Sequence, residues 1–587
     1  MTVASSQDPH PAGSHRLPYL ALQIALTVSV LALVFLFTES AYLGDTGRYM
    51  TEIMNHRAHL FSSGQDPFWD FGHPAWRPLV NVLFDGAGRT IQRVRGGDAR
   101  QALAWLMIAI NIVAMLAAVC FLWLFLKRHT NPLAAWIASA AFLCTNALLD
   151  FGRSGSPYVP GLACVIVALW LTQLAAARRS AGAFVPAAFA GLSLGAAVVL
   201  WVPFIFSIPA VILYAVFGSE YPARRERLKL AALIVIFCGL SIAVTYSFVI
   251  QQRQIRSFAS LKSWIGSAQN ETAQTDKVKR AVSGIPRSFL DLGDDTLLLK
   301  RYVFHDPYTR IGLVQILFAA GTLKVLLFYL YAGAMVWVLW SRPEERRILL
   351  LLAVAALSVL IFAVILFEPG GPEKYMPAYP FFFLGAAAAL QAGGGAYRTV
   401  HWLMAVFLVA VLCAGNIYAK AGGRRTEAYR TFLERKQSLD TEARREDMVA
   451  VISFWDPLYR LPALRLLDSQ AQPDFWVYDV IEVASTRVFH WRQEFAAQAL
   501  ARWSQGKQVW LSTRLLADTP LPAWKWVEGD TGRVKWSDVR DFFRSLEVRS
   551  RVGGADGFVL LTDGPRNEEV LRALYQGALP ENRHAER

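Results

Sequence analysis

Apolar residues along this chain come in long, nearly charge-free runs separated by short stretches rich in Lys and Arg. Hydropathy windows place the runs at about 18–37, 102–126, 132–149, 159–177, 184–200, 202–217, 229–249, 321–340, 348–367, 376–391 and 401–419. A helix rises about 1.5 Å per residue, so roughly 20 apolar residues cross a hydrocarbon core of about 30 Å. The pattern predicts a polytopic α-helical membrane protein with about 11 transmembrane helices. Two runs meet around Trp201, Val202 and Pro203 with barely a break, and the stretch 311–320 extends its neighbour or forms a re-entrant piece. Residues 18–37 are span-length and lead to no small-residue cleavage site, so they read as an uncleaved first helix.

After about residue 420 the period changes. "MVAVISF" (448–454), "FWVYDV" (475–480), "QVWLS" (508–512) and "GFVLLT" (557–562) read as strands alternating with helical patterns. One helix, "RQEFAAQALARWSQ" (492–505), is followed by Gly506 in the place of a C-cap. The expected organisation is a tail at 1–17, a membrane region at 18–419 with long loops at 38–100 and 250–310, and a soluble α/β domain at 420–587. The last segment lacks G-x-G-x-x-G and P-loop spacing, which leaves it no nucleotide role. It reads as a structural or acceptor-guiding cap.

Orientation follows from the short loops. Those at 127–131, 178–182, 218–229, 341–347 and 392–401 hold twelve Lys and Arg, whereas 150–158 and 368–375 hold two, Arg153 and Lys374. The first set is therefore expected in the cytoplasm, with both long loops and the C-terminal domain outside it. Composition agrees: 54% of the 587 residues are hydrophobic and 18% charged, with 19 Trp and 36 Phe. The net charge of +14 is explained mainly by topology, and no exposed basic arm points to nucleic acid. All five cysteines fall within apolar runs and suggest neither a disulfide framework nor a zinc site.

Candidate chemistry gathers on the expected outer side. "GDTGRYM" places Asp45 and Arg48 three residues apart, on a similar face of a helical turn just past the first span. A carboxylate there suits proton abstraction from a hydroxyl; read alone, it is equally a helix-end charge or cap. "DPFWDFGHPAWRPLVNVLF" (66–84) combines Asp70, His73 and Arg77 with Trp69 and Trp76, as a polar interfacial loop or a plain surface one. "DFGRSGSPYVPG" (150–161) carries Arg153, whose planar donors suit phosphate or an interfacial position. "LFEPGGPEKYMPAYPFFFLG" (366–385) sets Glu368, Glu373, Lys374 and Tyr375 on an irregular Pro- and Gly-rich backbone, either a tight loop or a phosphate holder that Glu373 orients.

Taken together, Asp45 beyond the first span, His73-Pro74 before the second, and Lys374-Tyr375-Met376-Pro377-Ala378-Tyr379-Pro380 late in the membrane region resemble the GT-C superfamily of polyprenyl-phosphate-sugar glycosyltransferases. "GDTG" with "GHP" is similar to the protein O-mannosyltransferase and related branches. The resemblance implies a lipid-phosphate donor bound in a cavity at the outer membrane face, Asp45 as the catalytic base, and Lys374 and Tyr375 as donor contacts. Arg153 joins them by charge and topology; Arg48, Asp70, His73, Arg77 and Glu373 complete the expected substrate-binding set. No acid pair is obvious beside Asp45, and "GHPAWRPL" departs from the usual His-Pro-Pro pattern. No cofactor is called for by the residues, and a divalent metal stays compatible with the resemblance. The implied partners are a polyprenyl-phosphate-linked sugar, a glycan, lipid or protein acceptor, and membrane lipids. The compact architecture and missing disulfide signals suit a bacterial inner membrane. Two other classes compete: a transporter, disfavoured because the charges lie outside the spans and no repeated half is visible, and a non-enzymatic envelope assembly protein that uses the C-terminal domain to bind a partner.

Overall fold

The computed structural model describes residues 16–37, 46–59, 66–95, 99–178, 180–218, 223–266, 277–293, 312–314, 320–367, 369–391, 398–421, 434–439, 442–444, 447–451, 476–480, 491–518, 534–553 and 557–576. Asp45, Glu368 and the parts of the expected long loop at 267–276 and 294–310 lie outside the described residues.

Among the described residues, six helices are long and apolar enough to cross a membrane: Ala102–Leu126, Tyr158–Ala176, Arg224–Gln252, Ala320–Trp340, Pro343–Leu366 and Arg398–Lys420. Shorter apolar helices cover Tyr19–Leu33, Pro132–Leu143, Phe184–Leu200 and Val202–Phe217. In chain order the helices that matter here are α1 (Arg16–Phe37), α2 (Thr46–Arg57), α3 (Trp76–Arg95), α4 (Ala99–Leu126), α5 (Pro132–Leu143), α6 (Asn146–Phe151), α7 (Tyr158–Ala176), α8 (Phe184–Leu200), α9 (Ile208–Phe217), α10 (Arg224–Gln252), α11 (Phe258–Gly266) and α12 (Lys277–Phe289).

The local chemistry explains where these helices start and stop. Asn131 caps α5 by accepting from the Ala134 N–H at 2.8 Å, with Pro132 at the first turn, where its missing N–H costs nothing. Helix α8 ends where Trp201 turns extended, at φ −154° and ψ 110°, and caps the 3-10 turn Val202–Ser207, which carries Pro203 in its first positions. The chain bends there, and the carbonyl of Val199 accepts from Ala75 N while Val202 N donates to Gly72 O, both at 3.0 Å. The His73 loop is thereby fastened to the end of α8.

Helix contacts inside a bilayer depend on close packing, since lipid tails are as apolar as the side chains. Gly191 and Gly195, four apart on α8, meet α10 so closely that a Cβ at either would strike Ile234 or Ser241. Aromatic rings fill the centre: Phe289 lies 4.4 Å from Phe382 and 4.7 Å from Tyr379, centroid to centroid. Leu22, Val28, Val235, Ile236 and Val244 stay exposed, as lipid-facing positions do.

The segments expected on the outer face meet one another. Arg253, after α10, donates to the carbonyls of Asp66 and Trp69 at 3.2 and 3.0 Å, and Trp264 of α11 donates to Trp69 O at 2.9 Å. Ser288 of α12 donates to Pro372 O. Asn131 and Gln391, from loops expected on the other side, pair with each other at 3.0 Å.

The last part of the chain forms a five-stranded sheet of order β2-β1-β3-β5-β4: β1 Met448–Val451, β2 Trp476–Asp479, β3 Val509–Ser512, β4 Val548–Val552 and β5 Phe558–Leu561. Strands β2, β1 and β3 run parallel, and β5 and β4 add antiparallel. The helices α13 (Trp491–Ser504), α14 (Trp536–Ser545) and α15 (Pro565–Tyr575) pack around it. Strands β1, β3 and β5 are wholly buried, as continuous apolar strands in a covered sheet should be. Edge strand β4 is mostly exposed and carries Arg549 and Arg551, charges that discourage a further strand from adding. Gly506, at φ +69°, follows α13 as the sequence suggests.

Candidate functional site

Helix α2 brings Arg48, Tyr49 and Glu52 within one turn, and the loop after it returns Asp70, His73 and, at the start of α3, Arg77 against them. Glu52 is the hub. One carboxylate oxygen takes the Arg48 Nε at 3.0 Å; the other pairs with Arg77. Arg77 has no exposed surface, lies 3.5 Å from Asp70 Oδ2, and sits over the Tyr49 ring at 4.8 Å. Asp70 Oδ2 also holds His73 Nδ1 at 2.8 Å, while His73 Nε2 lies 3.1 Å from the Tyr49 hydroxyl. A carboxylate on Nδ1 selects the tautomer with its proton there, which makes Nε2 the acceptor of the Tyr49 O–H.

The electrostatics follow from enclosure. Burial alone would raise the Asp70 pKa, but the His73 hydrogen bond and the Arg77 charge outweigh it and hold the carboxyl well below the usual carboxylate range. Burial likewise works against the Arg77 cation, and Glu52 and Asp70 more than restore it. Two guanidiniums and two carboxylates balance, so the cluster keeps its shape without needing an outside ion.

Arg153 stands in a second group. It donates from Nε to Leu149 O at 2.9 Å and from NH2 to Asp150 Oδ1 at 3.1 Å. Burial lowers its pKa despite Asp150. Asp150 is shared with Lys420 at 2.6 Å, and Lys420 reaches Asp291 at 3.1 Å. Asp291 is held below its ordinary pKa because Lys420 and the Gly293 N–H outweigh its burial.

Glu373, Lys374 and Tyr375 lie on a 3-10 helix, Pro372–Ala378. Lys374 pairs with Glu373 at 3.0 Å and sits over the rings of Phe367 and Trp201 at 4.2 and 5.4 Å. The Tyr375 hydroxyl donates to Pro369 O at 2.7 Å. Gly284 of α12 lets this element approach, since a Cβ there would collide with Pro369 O.

Two bridges connect the groups. Gly155, two residues past Arg153, donates its N–H to Thr46 Oγ1 at 3.0 Å and accepts from Trp76 Nε1 at 3.0 Å. A side chain at 155 would put Cβ 2.7 Å from Thr46 Cγ2, so glycine is what allows the loop to touch α2. The second bridge is a line of rings: Lys374 over Trp201, Trp201 4.6 Å from Tyr158, and Tyr158 6.5 Å from His73. Thus Arg48, Asp70, His73 and Arg77 form one cluster, with Arg153 and the Glu373–Tyr375 element joined to it at one remove. Asp45 lies outside the described residues and directly precedes α2 in the chain.

Sequence reasoning missed Tyr49, Glu52, Asp150, Asp291 and Lys420. Glu52 had a readable signal, its i+4 spacing from Arg48, as did Asp150 three before Arg153. Nothing in the sequence places Lys420 beside Asp150. Among the described residues, no group of three or more His, Cys, Asp or Glu side chains gathers in a metal-binding arrangement.

A family profile described as dolichyl-phosphate-mannose-protein mannosyltransferase matches residues 100–247, about a quarter of the chain. No curated protein matches significantly. Among solved structures, ArnT from Cupriavidus metallidurans bound to undecaprenyl phosphate is 12% identical, with a TM-score of 0.50 over 94% of this chain and 99% of that one. The Archaeoglobus fulgidus oligosaccharyltransferase, in complex with Zn and sulfate, is 14% identical, with a TM-score of 0.46 over 92% of this chain and 73% of that one. The chain has a GT-C-like membrane fold. The particular family-level likeness is the one seen in the sequence, to polyprenyl-phosphate-dependent GT-C glycosyltransferases.

Proposed function

We propose that this protein is a membrane glycosyltransferase that moves a sugar from a polyprenyl-phosphate donor to an acceptor hydroxyl at the outer face of the inner membrane. What carries this reading is the meeting of three separate segments, "GRYMTE", "DFGHPAWR" and "PEKY", through Gly155 and the Trp201–Tyr158–His73 rings, at the end of the bundle where α2 begins. A carrier would place its polar groups at mid-membrane. In the proposed reaction, Asp45 accepts the proton of the acceptor hydroxyl as its oxygen bonds to the anomeric carbon. The bond from that carbon to the phosphate oxygen breaks, and polyprenyl phosphate leaves with the electron pair. This single displacement inverts the anomeric centre. Lys374 and Arg153 offset the charge that grows on the phosphate, Tyr375 contacts the donor beside them, and Glu373 orients Lys374. Arg48, Asp70, His73 and Arg77 line or brace the sugar side.

The same reading sets about 11 spans, a cytoplasmic N-terminus and a periplasmic sheet-bearing domain over 420–587. Purified protein in lipid nanodiscs, given a panel of radiolabelled undecaprenyl-phosphate sugars and an envelope extract as acceptor, should transfer label and release undecaprenyl phosphate. Flux of the lipid-linked sugar across proteoliposomes with no transfer would replace the enzyme with a carrier.

A further inference from the structure

Beyond the membrane bundle, one hydrogen bond ties the sheet-bearing part to α2. The side-chain amide of Gln498, on α13, donates to Asn55 Oδ1, and both residues are about 97% enclosed. They are 443 positions apart in the chain. Asn55 shares a face of α2 with Arg48 and Glu52, because steps of four and three residues bring side chains back to nearly the same azimuth. The contact therefore bears on the very face that carries the Glu52 hub. On α13 the residue one turn before Gln498 is Glu494, also buried.

We propose that Gln498 is a positioning residue: through Asn55 it fixes the rotation of α2, and with it the Arg48–Glu52–Arg77 cluster. Buried amides pair only in narrow geometries, so a single such bond where two parts of a chain meet selects one orientation more sharply than apolar contact would. Elsewhere on the same helix, Thr46 is held by Gly155 and Tyr49 by His73. Helix α2 is thus clamped from the membrane side and from the sheet side at once. This gives the C-terminal part a role in the first outer helix and not solely above it. The catalytic consequence rests on the glycosyltransferase reading; the clamp itself does not.

Hydrogen exchange on the full chain in nanodiscs separates the two. Gln498→Met keeps the side-chain shape and removes the donor; exchange in peptides covering 46–57 should rise about tenfold, with strands β1, β3 and β5 unchanged. Asn55→Leu, which removes the acceptor from the other side of the bond, should raise exchange in 46–57 by a similar factor, and the double variant Gln498→Met with Asn55→Leu no further than either single. Unchanged exchange in 46–57 for Gln498→Met, equal loosening of the sheet, or effects of the two substitutions that simply add in the double variant would each overturn the clamp. With undecaprenyl-phosphate sugar as probe, Gln498→Met should lower kcat about tenfold at unchanged donor KM; raised exchange with normal kcat overturns the positioning role. A wild-type protein that transfers no sugar removes the glycosyltransferase reading, and the exchange result then decides the clamp alone.

Discussion

Glu52 bridges two guanidiniums from a place water does not reach, so its removal should be costly in a way that a matched second change repairs. In Glu52→Leu the Arg77 guanidinium, with no exposed surface, keeps only Asp70 at 3.5 Å. At an effective dielectric of about 20, one unit charge at that distance returns roughly 5 kcal/mol, and losing the nearer partner forfeits a comparable interaction. Deleting one member of a buried pair costs about 3–5 kcal/mol. The double variant Glu52→Leu with Arg77→Met removes the buried pair as a unit and leaves Asp70 its hydrogen bond to His73 Nδ1, and such apolar replacements of buried pairs are about neutral. The expected result is a non-additive cycle: each single variant loses about 3 kcal/mol or more, the double loses about 1–2 kcal/mol. Reversible unfolding in mixed detergent micelles, followed by Trp fluorescence, measures it. A double variant as unstable as the sum of its singles would refute the ion-pair account.

Three further outcomes follow from the same geometry. His129, between α4 and α5, accepts no proton easily because burial and Arg128 push its pKa down to about 4. Its folded pKa is lower than the unfolded value of about 6.5, so its contribution to stability is complete above that value and is lost as pH falls towards 4; His129→Gln should flatten the stability profile in that window, read by thermal unfolding at successive pH values. Gly155→Ala places a Cβ 2.7 Å from Thr46 and 2.9 Å from Met107, and overpacking of about 1–3 kcal/mol should appear as a lower unfolding midpoint with the His73 cluster loosened in hydrogen exchange. Lys374→Met should weaken binding of undecaprenyl phosphate about tenfold or more by calorimetry, while Lys374→Arg retains most of it.

Much of the membrane architecture was legible because hydrocarbon forces long apolar runs, and these runs coincide with α4, α7, α10 and the span helices near 320–420. The exposed edge strand "VRSRV" has no continuous apolar run and was not legible, but the buried strands were, since "MVAV", "VWLS" and "FVLL" are continuous apolar stretches that a covered sheet requires. Their order was not, because nothing local in β3 states that it sits between β1 and β5. The same limit applies to the site. Short-range pairs such as Arg48–Glu52 and Asp150–Arg153 leave a helical spacing to read, whereas Lys420–Asp150 and Gln498–Asn55 join residues 270 and 443 positions apart. Arg77, expected in the substrate-binding set, is the buried partner of Glu52. Arg48 and Arg153 came out paired with acids, Glu52 and Asp150, that the pattern of spans and loops does not single out.

The account rests most heavily on Asp45. The direct measurement is sugar transfer from undecaprenyl-phosphate sugar by wild type and Asp45→Asn, with the anomeric configuration of the product read by NMR and donor binding measured alongside. The account predicts an inverted product from wild type, and a fall of about 10²–10⁴-fold in Asp45→Asn at unchanged donor affinity. A retained anomer, or turnover that survives the substitution, would contradict it.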